Sequence, residues 1–416
     1  MMSKYVIIGN GTAAVGCIEG IRSRDAKSEI TVVSAENTPV YCRPLISYYL
    51  EGKTDLDRMK YRPDSFYADN GCTVLYGRKA VSVDNSAKTV ILDDRSSLKY
   101  DYLCIAAGSS PFVPQFKGLD TVKNKFTFTT IEDTLALEKN LDKSSHVLII
   151  GAGLIGLKCA EGIAERVSEI TVCDLSDRIL SSILDSECAA LMQKRLEENG
   201  VKFLLNDSAE SFDTNTAVMK SGKTVDFDVL VLAVGVKPNT YLLKEIGGEV
   251  NKGIIVNDKM QTSIDNIYAA GDCTEGMDIS FGDRRILAIM PNAYMQGHCA
   301  GVNMAGGKER FDKAIPMNSI GFFGLHAITA GSCFTEEQGG ESFEEKSEGS
   351  IKRLYFKDGF LTGYMLVGNV ERAGIYTKLI REKTPLSEID TDTMKKKPSL
   401  IIFSRDNRRN SLGGTV

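Results

Sequence analysis

Two short runs carry the residues whose types and spacing could do chemistry. In KYVIIGNGTAAVG, starting at Lys4, an apolar run stops at Gly9 and Gly11 and passes through Thr12, Ala13 and Ala14 into a helical pattern. In HVLIIGAGLIG, starting at His146, the design returns with Gly151, Gly153 and Gly156 around Leu154 and Ile155. Glycines at this spacing let a strand turn tightly into a helix, whose exposed N-terminal N–H groups then face the pyrophosphate of a dinucleotide. One such run is a weak signal. Two, each leading to a near-identical later strand, SEITVV from Ser28 and SEITVC from Ser168, point to two dinucleotide folds in one chain.

The elements that must position these glycines can be read around them. After Gly11, the residues Ala14, Cys17, Ile18 and Ile21 recur at helical spacing and give one face for a sheet. Strand 30–33 delivers Ser34, with Glu36 just beyond, to where a nucleotide ribose is held; either the hydroxyl or the carboxylate suits that task. In the second copy, strand 170–173 ends in Asp174, whose carboxylate suits both ribose hydroxyls of NAD and repels the 2′-phosphate of NADP. No arginine directly follows it, so NADH is the favoured nucleotide. The buried run 229–235 ends in another turn glycine, Gly235. Between the copies, in PVYCRPLISYYLEG from Pro39, Arg43 precedes Pro44 and holds a guanidinium by a turn, suited to a pyrophosphate or the polar edge of a flavin.

Length and composition bound the rest. A chain of 416 residues exceeds one core and suggests two or three domains. A net charge of -5 offers no global footprint for nucleic acid. No apolar run approaches the ~18 residues of a membrane span, and the first strand begins too near Met1 to leave room for a secretory signal. The expectation is a cytoplasmic protein. Ten cysteines without a CxxC pair indicate neither an iron-sulfur cluster nor a redox dithiol, and suit a reducing compartment. His146, His298 and His326 lack metal-ligand spacing, so no metal is expected and all three read as structural or exposed.

Taken in order, GxGxxA at Gly9, YxRPxxS at Tyr41, IAAGS from Ile105, GAGLIG at Gly151 and YAAGD from Tyr268 resemble the pyridine nucleotide-disulfide oxidoreductase superfamily. These are flavoproteins with two dinucleotide-binding domains, and the likeness is nearest to NADH:rubredoxin reductase and to the flavin part of NADH-dependent nitrite reductase. It covers nearly the whole chain. The resemblance implies an α/β fold: two Rossmann-like dinucleotide-binding domains, the FAD domain split by an inserted NAD domain, plus a smaller α+β C-terminal domain. Residues 1–111 and 242–307 would hold FAD, 112–241 NAD, and 308–416 would form an interface domain with a basic tail. The resemblance also places Ala80 beside the adenine through its backbone, Ala107 and Gly108 at the crossover, and Gly271 and Asp272 at the ribityl chain. It sets Met290 and Pro291 at the start of a helix that faces the flavin, where a helix N-terminus favours negative charge on reduction. Lys158 stands where relatives commonly carry Glu; Glu161, one turn on, is either the substitute or solvent-facing.

Nicotinamide gives up a hydride, two electrons at once, and a flavin can accept the pair and release electrons singly. No general acid or base is needed, which agrees with the lack of a catalytic His, Cys or carboxylate set. The implied function is an FAD-dependent oxidoreductase passing electrons between NADH and a one-electron acceptor: rubredoxin, ferredoxin or an iron-sulfur or metal-containing partner subunit. Two other readings are an NADH oxidase, peroxidase or CoA-disulfide reductase using Cys42, and a flavin-bearing assembly subunit of a larger redox complex. Against the first, the redox cysteine of such relatives aligns with Arg43, one residue on. Both a homodimer and a hetero-oligomeric complex fit the chain. In the last unit, Asp358-Gly359 marks a hairpin and 373–381 a helix, while the acidic stretch 336–348 reads as a mobile loop. The tail, with Lys395, Lys396, Lys397, Arg405, Arg408 and Arg409 against Asp406, reads as a solvated terminus or a docking surface for an acidic redox partner.

Overall fold

Strand Lys4–Ile8 is buried over its last four residues, as its apolar run requires, and lies at the centre of a five-stranded sheet. On one side of it lie Glu29–Ser34 and Cys72–Tyr76, on the other Tyr102–Ile105 and Ile267–Ala269, all parallel. Parallel sheets bury both faces, so the inner strands are nearly continuously apolar, while the edge strand Cys72–Tyr76 is only partly buried. The computed structural model describes residues 2–403, which form two compact units. This sheet belongs to the first, which takes in Met1–Ser181, Leu196–Met277 and Arg284–Asp312.

A second five-stranded parallel sheet in the same unit repeats the first. His146–Ile150 is its centre, with Glu169–Asp174 and Val201–Leu205 on one side and Val229–Leu232 and Lys125–Phe126 on the other. The repetition goes further than the glycine runs suggest. Each sheet is accompanied by a three-stranded antiparallel one: Ala80–Asp84, Thr89–Leu92 and Ser97–Lys99 in the first half, Ala209–Asp213, Thr216–Met219 and Thr224–Asp226 in the second. Both have a register shift at the same place, between Ala80 and Ser82 and between Ala209 and Ser211. The halves are joined by two antiparallel strands, Ser109–Pro111 and Val236–Pro238, where Asn239 donates through Nδ2 to the Ala107 carbonyl at 2.8 Å. The first helix, Thr12–Arg22, crosses the returning helix Met290–Met304 nearly backbone to backbone: a Cβ on Gly297 would lie 1.9 Å from the Ala13 carbonyl oxygen.

The second unit combines Ser182–Arg195, Asp278–Asp283 and the chain from Lys313 onward. Its antiparallel sheet runs Met317–Phe322, Leu325–Gly331, Phe360–Val367, Ser350–Lys357, Glu341–Ser347. The hairpin turn has Asp358 and Gly359 both at positive φ, 51° and 77°, the conformation that matches the twist of flanking strands. One expectation is corrected here. The acidic stretch 336–348 is no loop: after a short 3-10 turn, Glu341–Ser347 forms an edge strand. Its charges belong to that edge, where they discourage pairing with another chain, and opposite them Arg353 holds Glu344 at 2.6 Å by its Nε. Arg353 also pairs with Asp185 and Glu187. Of the basic tail, Lys395 lies over the rings of Phe343 and Phe356 at the end of helix Thr391–Lys396. Arg405, Asp406, Arg408 and Arg409 lie outside the described residues.

Candidate functional site

In both halves the strand ends deliver the chemistry-bearing residues to one edge of the sheet, where open α/β sheets bind ligands. Gly9 has φ 106° and Gly151 φ 112°, a region that side-chain-bearing residues rarely enter. A Cβ would lie 2.1 Å from the Ala106 carbonyl oxygen at Gly9 and 2.3 Å from that of Ala233 at Gly151, so each turn admits glycine alone. Their N–H groups bond back to the second strand, to Val33 at 2.8 Å and Cys173 at 2.7 Å. The helices that follow begin at Thr12, after Gly11, and at Leu154, after Gly153, and neither has a side-chain cap. The first-turn N–H groups, those of Thr12, Ala13 and Ala14 and of Leu154, Ile155 and Gly156, thus lack intrahelical acceptors. Open space lies beside Gly11, Gly153 and Gly235, where an added Cβ would meet nothing within 4 Å.

Around the first turn the structure brings together residues far apart in sequence. Arg43 donates to the Thr129 carbonyl at 2.9 Å, pairs with Glu36 and is 47% exposed, so part of its guanidinium faces the opening. Tyr41 donates to Glu36 at 2.7 Å and accepts from the Ile131 N–H at 2.9 Å. Tyr41 and Arg43 therefore tie the first half to the start of helix Ile131–Glu138 in the second. Asp272 follows Gly271, whose N–H is held by the buried Gln296 at 2.8 Å. Burial pushes the Asp272 carboxyl above its ordinary range, opposed by the Arg43 charge and the Ser109 hydroxyl at 3.5 Å. Met290, opening the helix with Pro291 beside it, brings its sulfur to 3.9 Å from Cys42 Sγ. Burial pushes the Cys42 thiol up, away from the reactive thiolate.

Other expected residues sit differently. Ser34 is buried and donates to the Glu36 carbonyl at 2.8 Å, so of the two ribose candidates only the Glu36 carboxylate faces out, already shared with Tyr41 and Arg43. The Ala80 carbonyl accepts from the Tyr241 hydroxyl at 2.5 Å. Asp174 accepts from the Ala152 N–H at 2.7 Å and the Ser176 N–H at 2.8 Å, which fixes it over its own glycine turn and leaves further lone pairs for ribose hydroxyls. Glu161 does not face solvent: it is 7% exposed and pairs with Lys158 at 2.6 Å, while Lys158 lies over the Tyr48 ring at 5.2 Å. His146 and His326 are exposed and His298 contacts Glu309 at 3.0 Å.

These residues fit the groups they would hold. The Asn10 side chain in the first turn accepts from Tyr67 at 2.6 Å, and its buried Nδ2 has no hydrogen-bond partner among the described residues. With two uncapped helix starts, two glycine-only turns and a half-exposed arginine, the donors suit two pyrophosphates. Sequence reading missed Asn10, Tyr41, Tyr67, Ser109 and Gln296. Asn10, Tyr41 and Ser109 stand inside the quoted motifs and were open to recognition; Tyr67 and Gln296 act through partners distant in sequence.

Two Rossmann sheets with these turns define a two-nucleotide flavoprotein, one fold for FAD and one for a nicotinamide nucleotide. The chain belongs to the pyridine nucleotide-disulphide oxidoreductase family, whose model matches residues 3–297. It is accordingly an NADH-dependent FAD oxidoreductase. It is 33% identical over 398 residues, 93% of each chain, to the NADH-dependent phenylglyoxylate dehydrogenase subunit epsilon of Aromatoleum evansii. It is 30% identical to the rubredoxin-NAD(+) reductase of Pseudomonas putida, covering 72% of this chain and 80% of that one. Putidaredoxin reductase, solved in a covalent complex with putidaredoxin, shares the fold at a TM-score of 0.87 and 21% identity, over 95% of this chain and 96% of that one. No helix among the described residues is long and apolar enough to cross a membrane.

Proposed function

We propose that this chain takes electrons from NADH and delivers them one at a time to a protein acceptor, either a rubredoxin- or ferredoxin-like protein or an iron-sulfur or metal-containing partner subunit. The observation that carries the reading is the pair of complete glycine turns opening uncapped helices within one unit. Bound FAD would supply the two-electron to one-electron conversion. Gly9, Gly11 and the N–H groups of Thr12 to Ala14 would hold its pyrophosphate, Arg43 would neutralise charge there, and Asp272 would accept from its ribityl hydroxyls. The start of helix Met290–Met304 would favour negative charge on a bound flavin. Gly151 to Gly156 and Asp174 would hold NADH, and Tyr41 and Arg43, through their hydrogen bonds to Ile131 and Thr129, would keep the two sites in register. The division into 1–111 with 242–307, 112–241 and 308–416 follows the same reading.

Likeness to subunit epsilon and to rubredoxin reductase favours a redox partner, in a hetero-oligomer or beside a homodimer. Ten cysteines without a disulfide among the described residues suit the cytoplasm. The raised Cys42 thiol beside Met290 speaks against a thiol relay. NADH-driven reduction of a one-electron dye by the FAD-loaded protein tests this. Cys42→Ser is expected to retain more than about half of that activity, and its collapse would replace this reading by the thiol one.

A further inference from the structure

The C-terminal unit contains a cleft that the nucleotide sites do not use. It lies between helix Ala373–Arg381 and the sheet, with a volume of about 560 Å³, within the range of small-molecule sites. Its apolar lining is Met317, Ile328 and Tyr364. The Tyr364 hydroxyl is hydrogen-bonded to Thr377 at 2.8 Å and the residue is fully buried, so the apolar surface left open is that of the half-buried Met317 and Ile328. Lys313, Lys378 and Arg381 also line the cleft, against Glu382, an excess of positive charge.

The cations are not equivalent. Lys378 lies over the Phe403 ring at 5.2 Å and 3.9 Å from Glu382, and so is engaged within the fold. Arg381 is different: its Nε is buried without a hydrogen-bond partner, and it forms no ion pair among the described residues. An N–H withheld from water with no acceptor is unfavourable, while Arg381 as a whole stays partly exposed at the cleft. A carboxylate matches the planar fork of arginine in two parallel hydrogen bonds. The apolar lining offers nothing to a bare ion but would cover an apolar body.

We propose that this cleft binds a small organic carboxylate, its carboxylate on Arg381 and its apolar body against Met317 and Ile328. All these residues follow Asp312 and lie in the second unit, so the site stands independently of the nucleotide reading. A monocarboxylate suits it better than inorganic phosphate, which would leave the apolar lining uncovered.

Saturation-transfer NMR and thermal melting on the FAD-loaded full chain test this, with benzoate as probe and benzyl alcohol, inorganic phosphate and a capped hexaglutamate peptide as comparators. Benzoate is expected to bind saturably and raise the melting temperature. Arg381→Met, which keeps the apolar stem, should weaken benzoate about tenfold or more, with partial recovery in Arg381→Lys. Benzyl alcohol should bind the unaltered protein about tenfold more weakly than benzoate. Since Arg381→Met removes an unsatisfied group, it should melt no lower than the parent; should it fail to fold, Arg381→Lys and the benzyl alcohol comparison carry the test. The proposal fails if benzoate does not bind, if it binds Arg381→Met equally, or if phosphate or hexaglutamate binds as tightly as benzoate.

Discussion

The two dinucleotide folds match strand for strand and differ in how each glycine turn is braced. In the first, the third small position is Ala14, fully buried, and the helix it opens is clasped by the returning helix Met290–Met304. In the second that position is Gly156, where a Cβ would lie 2.0 Å from the Gly151 carbonyl oxygen, and the helix leans on the short helix Ile46–Leu50 through Gly162. The first turn is held from outside; the second is held by its own closeness. The carboxylates differ in the same sense. Asp272 depends on a side-chain hydroxyl and a distant guanidinium, whereas Asp174 is satisfied by backbone N–H groups of its own turn. One half is thus assembled by the tertiary fold, the other largely by local chain.

The largest effects should come from the turns themselves. Gly9→Val places a β-branched residue at φ 106° against a carbonyl and should give a protein without flavin colour. Gly151→Val should keep the colour but weaken NADH about a hundredfold, ~3 kcal/mol. Flavin absorbance and NADH titration distinguish them, and loss of flavin from both would mean that the halves are not separable. Next is the third position: Gly156→Ala should weaken NADH about tenfold by overpacking, while Ala14→Gly should retain FAD and lower stability by about 1 kcal/mol in chemical denaturation. Equal effects would remove the distinction in bracing.

Asp272→Asn probes the assembled half. The folded-state pKa of Asp272 is raised, so the folded chain keeps its proton longer than the unfolded one. Stability therefore falls as pH rises from the ordinary carboxylate range through that raised value. The asparagine variant without cofactor should melt above the parent near neutral pH, with the gap closing near about pH 4, yet bind FAD about tenfold more weakly. The smallest effect is expected at Asp174→Ala, a severalfold loss of NADH affinity with a narrowed preference over NADPH; an unchanged preference would take Asp174 out of the site.

What could be read from the sequence follows the same division. The local half was open to reading because a glycine turn and its ribose carboxylate are encoded within some thirty residues. Gln296 acts across the fold and left no local signal. The strand 341–347 was hidden by its own charges, which look like a loop until Arg353 and Lys352 are seen opposite them.

Anaerobic titration with NADH tests the central claim most directly. The FAD-loaded protein should lose its oxidised flavin absorbance at one equivalent of NADH, and Gly151→Val should do so about a hundredfold more slowly at subsaturating NADH, while dithionite bleaches both. A flavin that NADH cannot bleach, or that it bleaches equally well in Gly151→Val, would contradict the account of two coupled nucleotide sites.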